Sequence, residues 1–147
     1  MELLLFKKTV TKTLVTHGFI KNKSYYYLIF KDIIIVIGLQ RSSYSNGYYI
    51  NIGYIITQLR SALSLPKDVD GDIRSRFYIE GNKSYDISLF DLEMLTEDKL
   101  TKIIEENIEE YAKNVSTLED IKLLIKRRPS LLFQTRISAK ELLGYSI

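Results

Sequence analysis

The pair Asn46-Gly47, set between strand-like runs at 33–42 and 48–56, constrains this chain more than any other feature. Asn-Gly between such runs is the strongest short hairpin signal, because both central residues of a type I′ turn need positive φ. A two-residue turn predicts Ser45 opposite Tyr48. Counting outward, Ser42 then faces Asn51, Gln40 faces Gly53 and Gly38 faces Ile55. Side chains alternate between the two faces of a sheet. Gln40, Ser42 and Asn51 therefore share one face with Gly38 and Gly53, while Ile37, Leu39, Ile50, Ile52 and Tyr54 share the other. Arg41 falls on the apolar face, near a strand end where a long stem can carry its charge out to water.

The apolar face needs a cover, and the rest of the chain supplies one. Residues 2–16 predict a helix with Phe6, Val10 and Leu14 on one stripe, joined by Leu3, and Gly18 suits its left-handed C-cap. Residues 25–30 read as a strand, and the run IIIVI at 33–37 suits a central strand covered on both faces. Residues 60–72 read as an irregular connection, 73–79 as a fourth strand, 81–83 as a turn and 84–89 as a fifth strand. The period then becomes helical. Thr96 is the predicted N-cap of a helix striped by Leu100, Ile103, Ile104, Ile108, Tyr111, Ala112 and Val115. Thr117 starts a shorter helix that stops before Pro129, and Ser138-Ala139-Lys140-Glu141 has the pattern of a capping box opening a last turn closed by Gly144. The expected fold is α+β: one domain with an antiparallel meander of four to five strands, and the N-terminal and C-terminal helices packed on one face.

In the fourth strand Phe77 and Ile79 are expected in the core, which turns Arg74, Arg76 and Tyr78 to the polar face. Beside the third strand, the two guanidiniums would point at Gln40, Ser42 and Asn51, with Gly53 as floor. Such a set offers donors to a carboxylate or a phosphate. Tyr49, with Tyr25, Tyr27 and Tyr44, would lie on the same face, and aromatic residues beside arginine are typical of protein interfaces. Strand glycines often mark a close approach by another group. Polar residues also belong on the solvated face of an ordinary antiparallel sheet, and a slip of one residue would dissolve the cluster.

Other chemistry is discounted. The chain has no cysteine and one histidine, His17, so disulfides, thiol nucleophiles and zinc–cysteine sites are excluded, and a Ser-His-Asp triad would rest on His17 alone. An EF-hand loop from Asp68 would need glycine at 73 and glutamate at 79, and both are isoleucine. No phosphate-cradling glycine loop or Gly-x-Ser-x-Gly elbow occurs. Glu105, Glu106, Glu109 and Glu110 lie off the apolar stripe, as a solvated helix face does, and Lys126-Arg127-Arg128 suits a helix C-terminus. Residues 1–60 hold eight Lys/Arg against two acids, but the lysines are dispersed along the sequence, which argues against nucleic acid. No cofactor or metal is expected. No run approaches the ~20 apolar residues of a membrane span, and the start MELLLFKKTV lacks a signal-peptide core. A soluble, cytoplasmic protein is expected.

A helix ending at Gly18-Phe19, an aromatic strand, a strand leading to Gln40-Arg41-Ser42 and then Asn51-Ile52-Gly53 together resemble a bacterial family, domain of unknown function 4304. Arg41 stands where lysine is common, Ile52 where leucine is common, and Arg74 or Arg76 for a later arginine. The likeness is best over about residues 10–80, and the tryptophans of the family's later part are absent here. It implies an α+β domain and brings no activity. Some small bacterial families of this kind look like immunity proteins, which bind and block a toxin. The leading expectation is a non-enzymatic protein that binds a protein partner through the polar sheet face, in an immunity-like role by analogy. A small anionic ligand is the alternative within that class. The rival class is an enzyme acting on a phosphorylated or nucleic-acid substrate, which lacks an obvious general base. Neither partner nor oligomeric state follows from the sequence.

Overall fold

A computed structural model describes residues 1–61, 64–80 and 87–145. Its centre is an antiparallel meander, β1 (Ile20–Asn22), β2 (Tyr25–Ile29), β3 (Ile33–Arg41), β4 (Gly47–Ile56) and β5 (Ile73–Arg76), in that spatial order. A short β6 (Phe90–Asp91) also pairs with β4, through Gly47 and Tyr48. Helices α1 (Leu3–Thr16), α2 (Glu97–Tyr111), α3 (Leu118–Arg127) and α4 (Ile137–Leu143) complete the fold. It is α+β, as expected. No described helix is long and apolar enough to cross a membrane.

One cluster of buried side chains joins the helices to one sheet face. Phe6, Val10 and Leu14 of α1 and Leu100, Ile104 and Ile108 of α2 meet Ile35, Ile37, Ile50, Ile52 and Tyr54. Gly18 takes a φ of +92° and lets the Phe19 N–H turn back to the Leu14 carbonyl at 3.0 Å, closing α1. The buried Tyr54 hydroxyl donates to the Tyr111 carbonyl at 2.5 Å, fixing the end of α2 to the centre of β4.

The hairpin differs from the two-residue turn expected at Asn46-Gly47. Gly38 faces Asn51, Gln40 faces Tyr49 and Arg41 faces Tyr48, a shift of four positions, and residues 42–46 form the loop. The reason lies in Ser42 and Gly47. The Ser42 hydroxyl accepts from Tyr44 N at 3.3 Å and from Ser45 Oγ at 3.1 Å, while its own N–H donates to the Gly47 carbonyl at 2.9 Å. Gly47 has no positive φ. It is a strand residue over which β6 passes so closely that a Cβ would lie 2.9 Å from Leu89 Cδ1 and 3.0 Å from the Phe90 carbonyl. An even shift leaves every side chain on its expected face.

Three other expectations are revised. β1 is an additional strand, too short to carry a period. The expected fifth strand falls partly on residues 84–86, outside the described residues as is the turn at 81–83; residues 87–89 are not strand, and the pairing is made by β6 instead. At α4 the N-cap is Arg136 without a side-chain bond, so Ser138 sits inside the helix rather than opening a capping box. Thr96 and Thr117 do cap α2 and α3.

The α3 cap is reciprocal. Thr117 Oγ1 accepts from Asp120 N at 3.1 Å, and Asp120 Oδ2 accepts from Ser116 N at 3.0 Å and Thr117 N at 3.1 Å. The Ser116 backbone bond is the main cause that holds the Asp120 carboxyl below its ordinary value. A depressed carboxyl stabilises the fold above its unfolded pKa and loses that contribution as pH falls through the folded one. Asp120→Ala is therefore expected to cost about 0.5–1 kcal/mol at pH 7, low in the capping range because the carboxylate is near solvent. In urea titrations the gap between wild type and variant should close as pH drops through and below the ordinary carboxylate range. A gap independent of pH would mean that the charged cap contributes nothing.

Candidate functional site

The sheet face away from the helices is divided. Toward one end it carries Tyr27, Val36 and Ile55, a small second apolar cluster flanked by Tyr25 and Ile34. Toward the other it carries Gln40, Tyr49, Asn51 and Arg76. Gly38 and Gly53 lie between. Residues 66–72 run across this boundary as a strap, which includes a turn of 3₁₀ helix at Asp68–Asp70. The Tyr27 hydroxyl donates to the Pro66 carbonyl at 2.7 Å. A Cβ on Gly53 would lie 2.6 Å from the Asp68 carbonyl oxygen, and one on Gly38 would lie 2.9 Å from the Asp68 carboxylate. The glycines are thus used for a close approach, as expected, but the approaching group is the chain itself.

Beyond the strap the face is open and polar. Register sets Asn51 opposite Arg76 and Gly53 opposite Arg74. Gln40 Oε1 accepts from Asn51 Nδ2 at 3.0 Å and from an Arg76 terminal nitrogen at 3.2 Å, and Arg76 Nε donates to Asn51 Oδ1 at 3.0 Å. The same guanidinium lies 3.9 Å from the centre of the Tyr49 ring. Two hydrogen-bond partners on one side and an aromatic face on the other fix its plane. A cleft of about 500 Å³ opens beside this group, lined by Gln40, Asn51, Arg74 and Arg76 with Asp68 and Gln134. Among the described residues no carboxylate oxygen lies within 4.0 Å of either arginine.

Of the residues singled out from sequence, Gln40, Asn51, Arg74 and Arg76 line the cleft, and Tyr49 supports Arg76 from its edge. Gly53 lies beneath the strap. Ser42 is not part of the group. The longer loop takes it out of the strand, where its hydroxyl organises the turn. Tyr44 is fully exposed in that loop, and Tyr25 and Tyr27 belong to the apolar end. Tyr78 does not join the polar face either. The Asn107 side chain accepts from Tyr78 N at 3.0 Å and donates to its carbonyl at 2.8 Å, which ends β5 and turns the chain toward α2. There the Tyr78 ring meets Tyr111 edge-on, beneath the Arg128 guanidinium. Asp68 and Gln134 were not foreseen. The first lies in the 3₁₀ turn of the strap and the second ends a 3₁₀ segment, Pro129–Gln134, before α4, and neither carries a periodic signal.

The carboxylates of the Asp68–Asp72 loop serve separate partners. Asp70 accepts from Lys67 N at 2.8 Å, and Asp72 from Ile56 N at 2.7 Å. Asp72 is buried, which raises its pKa despite that bond. Among the described residues no three His, Asp or Glu side chains are grouped to hold a metal ion.

The fold and cleft define an α+β protein with an open, half-covered antiparallel sheet whose exposed part presents one arginine, Arg76, in a carboxamide frame and a second, Arg74, beside it. The chain belongs to the family described as Domain of unknown function (DUF4304), whose model matches residues 10–117. No curated protein and no solved structure matches it.

The two glycines give an ordered expectation. Gly53→Ala meets backbone and should cost about 1–3 kcal/mol as the strap is displaced; Gly38→Ala meets the ends of side chains that can shift and should cost less. Urea unfolding gives the order, and faster amide exchange at Asp70 and Gly71 should accompany Gly53→Ala. Equal costs with unchanged exchange would show that the strap does not rest on Gly53.

Proposed function

We propose that the chain is a non-enzymatic binding protein that engages a protein partner through the polar sheet cleft, with an acidic group of the partner at Arg74 and Arg76. The observation that carries this reading is the fixed Arg76 guanidinium, framed by Gln40 and Asn51, stacked on Tyr49 and with no described carboxylate to neutralise it. Holding a guanidinium in one plane removes most of the ordering cost of a bidentate carboxylate contact. Arginine with an aromatic neighbour is also the composition of interface hot spots. An immunity-like role, in which the partner is a toxin, is the specific form of the proposal, in a bacterial cytoplasm that suits a chain without cysteine. The cleft's volume, about 500 Å³, also fits a small carboxylate- or phosphate-bearing ligand held by the same donors. An enzyme on a phosphorylated or nucleic-acid substrate ranks below both, because Asp68 is the one carboxylate among the described lining residues and no histidine joins it.

The test is affinity capture from a lysate of the source organism with wild type and with a folded Gln40→Ala/Arg76→Ala variant. A protein retained by wild type and lost by the variant is the expected result. Equal retention by both would remove the cleft from that interaction. Capture of nothing, together with a carboxylate or phosphate compound that raises the melting temperature of wild type alone, would transfer the reading to a small ligand.

A further inference from the structure

A second surface lies on the helix-bearing side of the sheet, behind the hairpin. We propose that the groove between α1 and the β1–β2 hairpin is a docking site for an acidic, amphipathic helical segment of a partner protein. Its rim is formed by Lys7, Lys8 and Lys12 of α1 and by Lys21 and Lys23 at the hairpin. Its lining is apolar: the exposed Leu4 at the α1 edge, the half-buried Leu39, and Tyr26 and Tyr48 beneath. The groove has a volume of about 860 Å³, against about 500 Å³ for the arginine cleft, and no described acidic residue lines it. Leu39 and Tyr48 alternate along their strands with Gln40 and Tyr49, so the groove and the arginine cleft are on opposite faces and the proposal does not depend on the cleft.

Three features point to an acidic occupant. The five rim lysines are exposed, and none is within 4.0 Å of a carboxylate oxygen among the described residues. Lys8 and Lys12 stand four apart on one helix, a like-charge spacing that weakens the free helix by a few tenths of a kcal/mol. Lys23 holds a φ of +55°, where glycine or asparagine is at home, so the hairpin carries a lysine in the less comfortable backbone conformation. The floor then selects among acidic occupants. Tyr26 and Tyr48 are 3% and 8% exposed, and the Tyr26 hydroxyl is engaged with Thr11 at 2.6 Å, so neither ring offers a free face for stacking a nucleic-acid base. A flat anionic surface would reach the ammonium groups but not the recessed Leu39. An amphipathic helix fills both parts, with its apolar stripe on Leu4 and Leu39 and glutamates on either flank toward the lysines.

The experiment is fluorescence anisotropy with a labelled peptide of about four helical turns, leucine on one stripe and glutamate on both flanks. A peptide of the same composition scrambled to erase the stripe, an oligothymidine and vesicles containing phosphatidylglycerol are the competitors. The protein variants are Lys8→Glu/Lys12→Glu, which alters exposed positions, and Lys23→Gly, which relieves the left-handed lysine and should melt no lower than wild type. The striped peptide is expected to bind wild type, about tenfold more weakly to the double variant, and more weakly to the still-folded Lys23→Gly variant. Equal affinity for the striped and scrambled peptides would overturn the role of the floor. Stronger binding of oligothymidine or vesicles than of the striped peptide, the absence of peptide binding, or indifference to both variants would overturn the proposal.

Discussion

Two positions without side chains set the shape of the second sheet face. Gly38 and Gly53 sit on adjacent strands, and the strap at 66–72 descends onto them, its backbone against Gly53 and the Asp68 side chain against Gly38. On one side of that line the strap covers Tyr27, Val36 and Ile55, so the sheet is buried on both faces. On the other side the face stays open, and it is here that Gln40, Asn51 and Arg76 bond to one another. The cleft owes one of its walls to the strap, since Asp68 and Val69 line it. A larger residue at Gly53 would meet the strap's backbone and lift that wall and the covered end together.

Asp72 fastens the strap where it enters β5. Its carboxylate accepts from Ile56 N, its own N–H donates to the Tyr54 carbonyl, and its carbonyl accepts from Arg136 N. One residue thereby closes the end of β4 and ties it to the start of α4. Desolvation dominates its raised pKa, so the ionised side chain is held at a cost that the Ile56 bond offsets in part. The Arg136 backbone contact also brings the segment before α4 against β5, which places Gln134 at the cleft. That residue is a consequence of tertiary packing and has no local signature.

How far the sequence could be read follows from what each feature depends on. Facing depends on parity, and parity survived a register shift of four, so Gln40 and Asn51 share a face with Arg74 and Arg76 as the alternation implied. Register depends on the turn. The Asn-Gly pair misled there because Gly47 is required for the passage of β6, a contact made by residues more than forty positions away. Ser42 left the site for the same reason. Helix stripes and threonine caps are local and were legible at α1, α2 and α3, whereas α4 begins at Arg136 because of a strand contact rather than a side-chain cap. Tyr78 followed the alternation on paper but is captured by Asn107, a single buried amide on a distant helix.

Charge behaves differently from hydrophobic pattern, because it has no period to reveal it. The basic excess of residues 1–60 is dispersed in sequence, and only the fold brings Lys7, Lys8 and Lys12 on α1 to the same rim as Lys21 and Lys23. The hairpin that presents Gln40 and Tyr49 to one side presents Leu39 and Tyr48 to the other, so both candidate surfaces share the same two strands. Their chemistry differs in a way that alternation makes unavoidable. The strand positions pointing at the helices must be apolar to seal the core, which gives the lysine groove a greasy floor, while those beyond the strap meet water and carry carboxamides. A group that binds the groove must therefore offer apolar surface as well as negative charge, whereas one that binds the cleft needs negatively charged hydrogen-bond acceptors and little apolar surface.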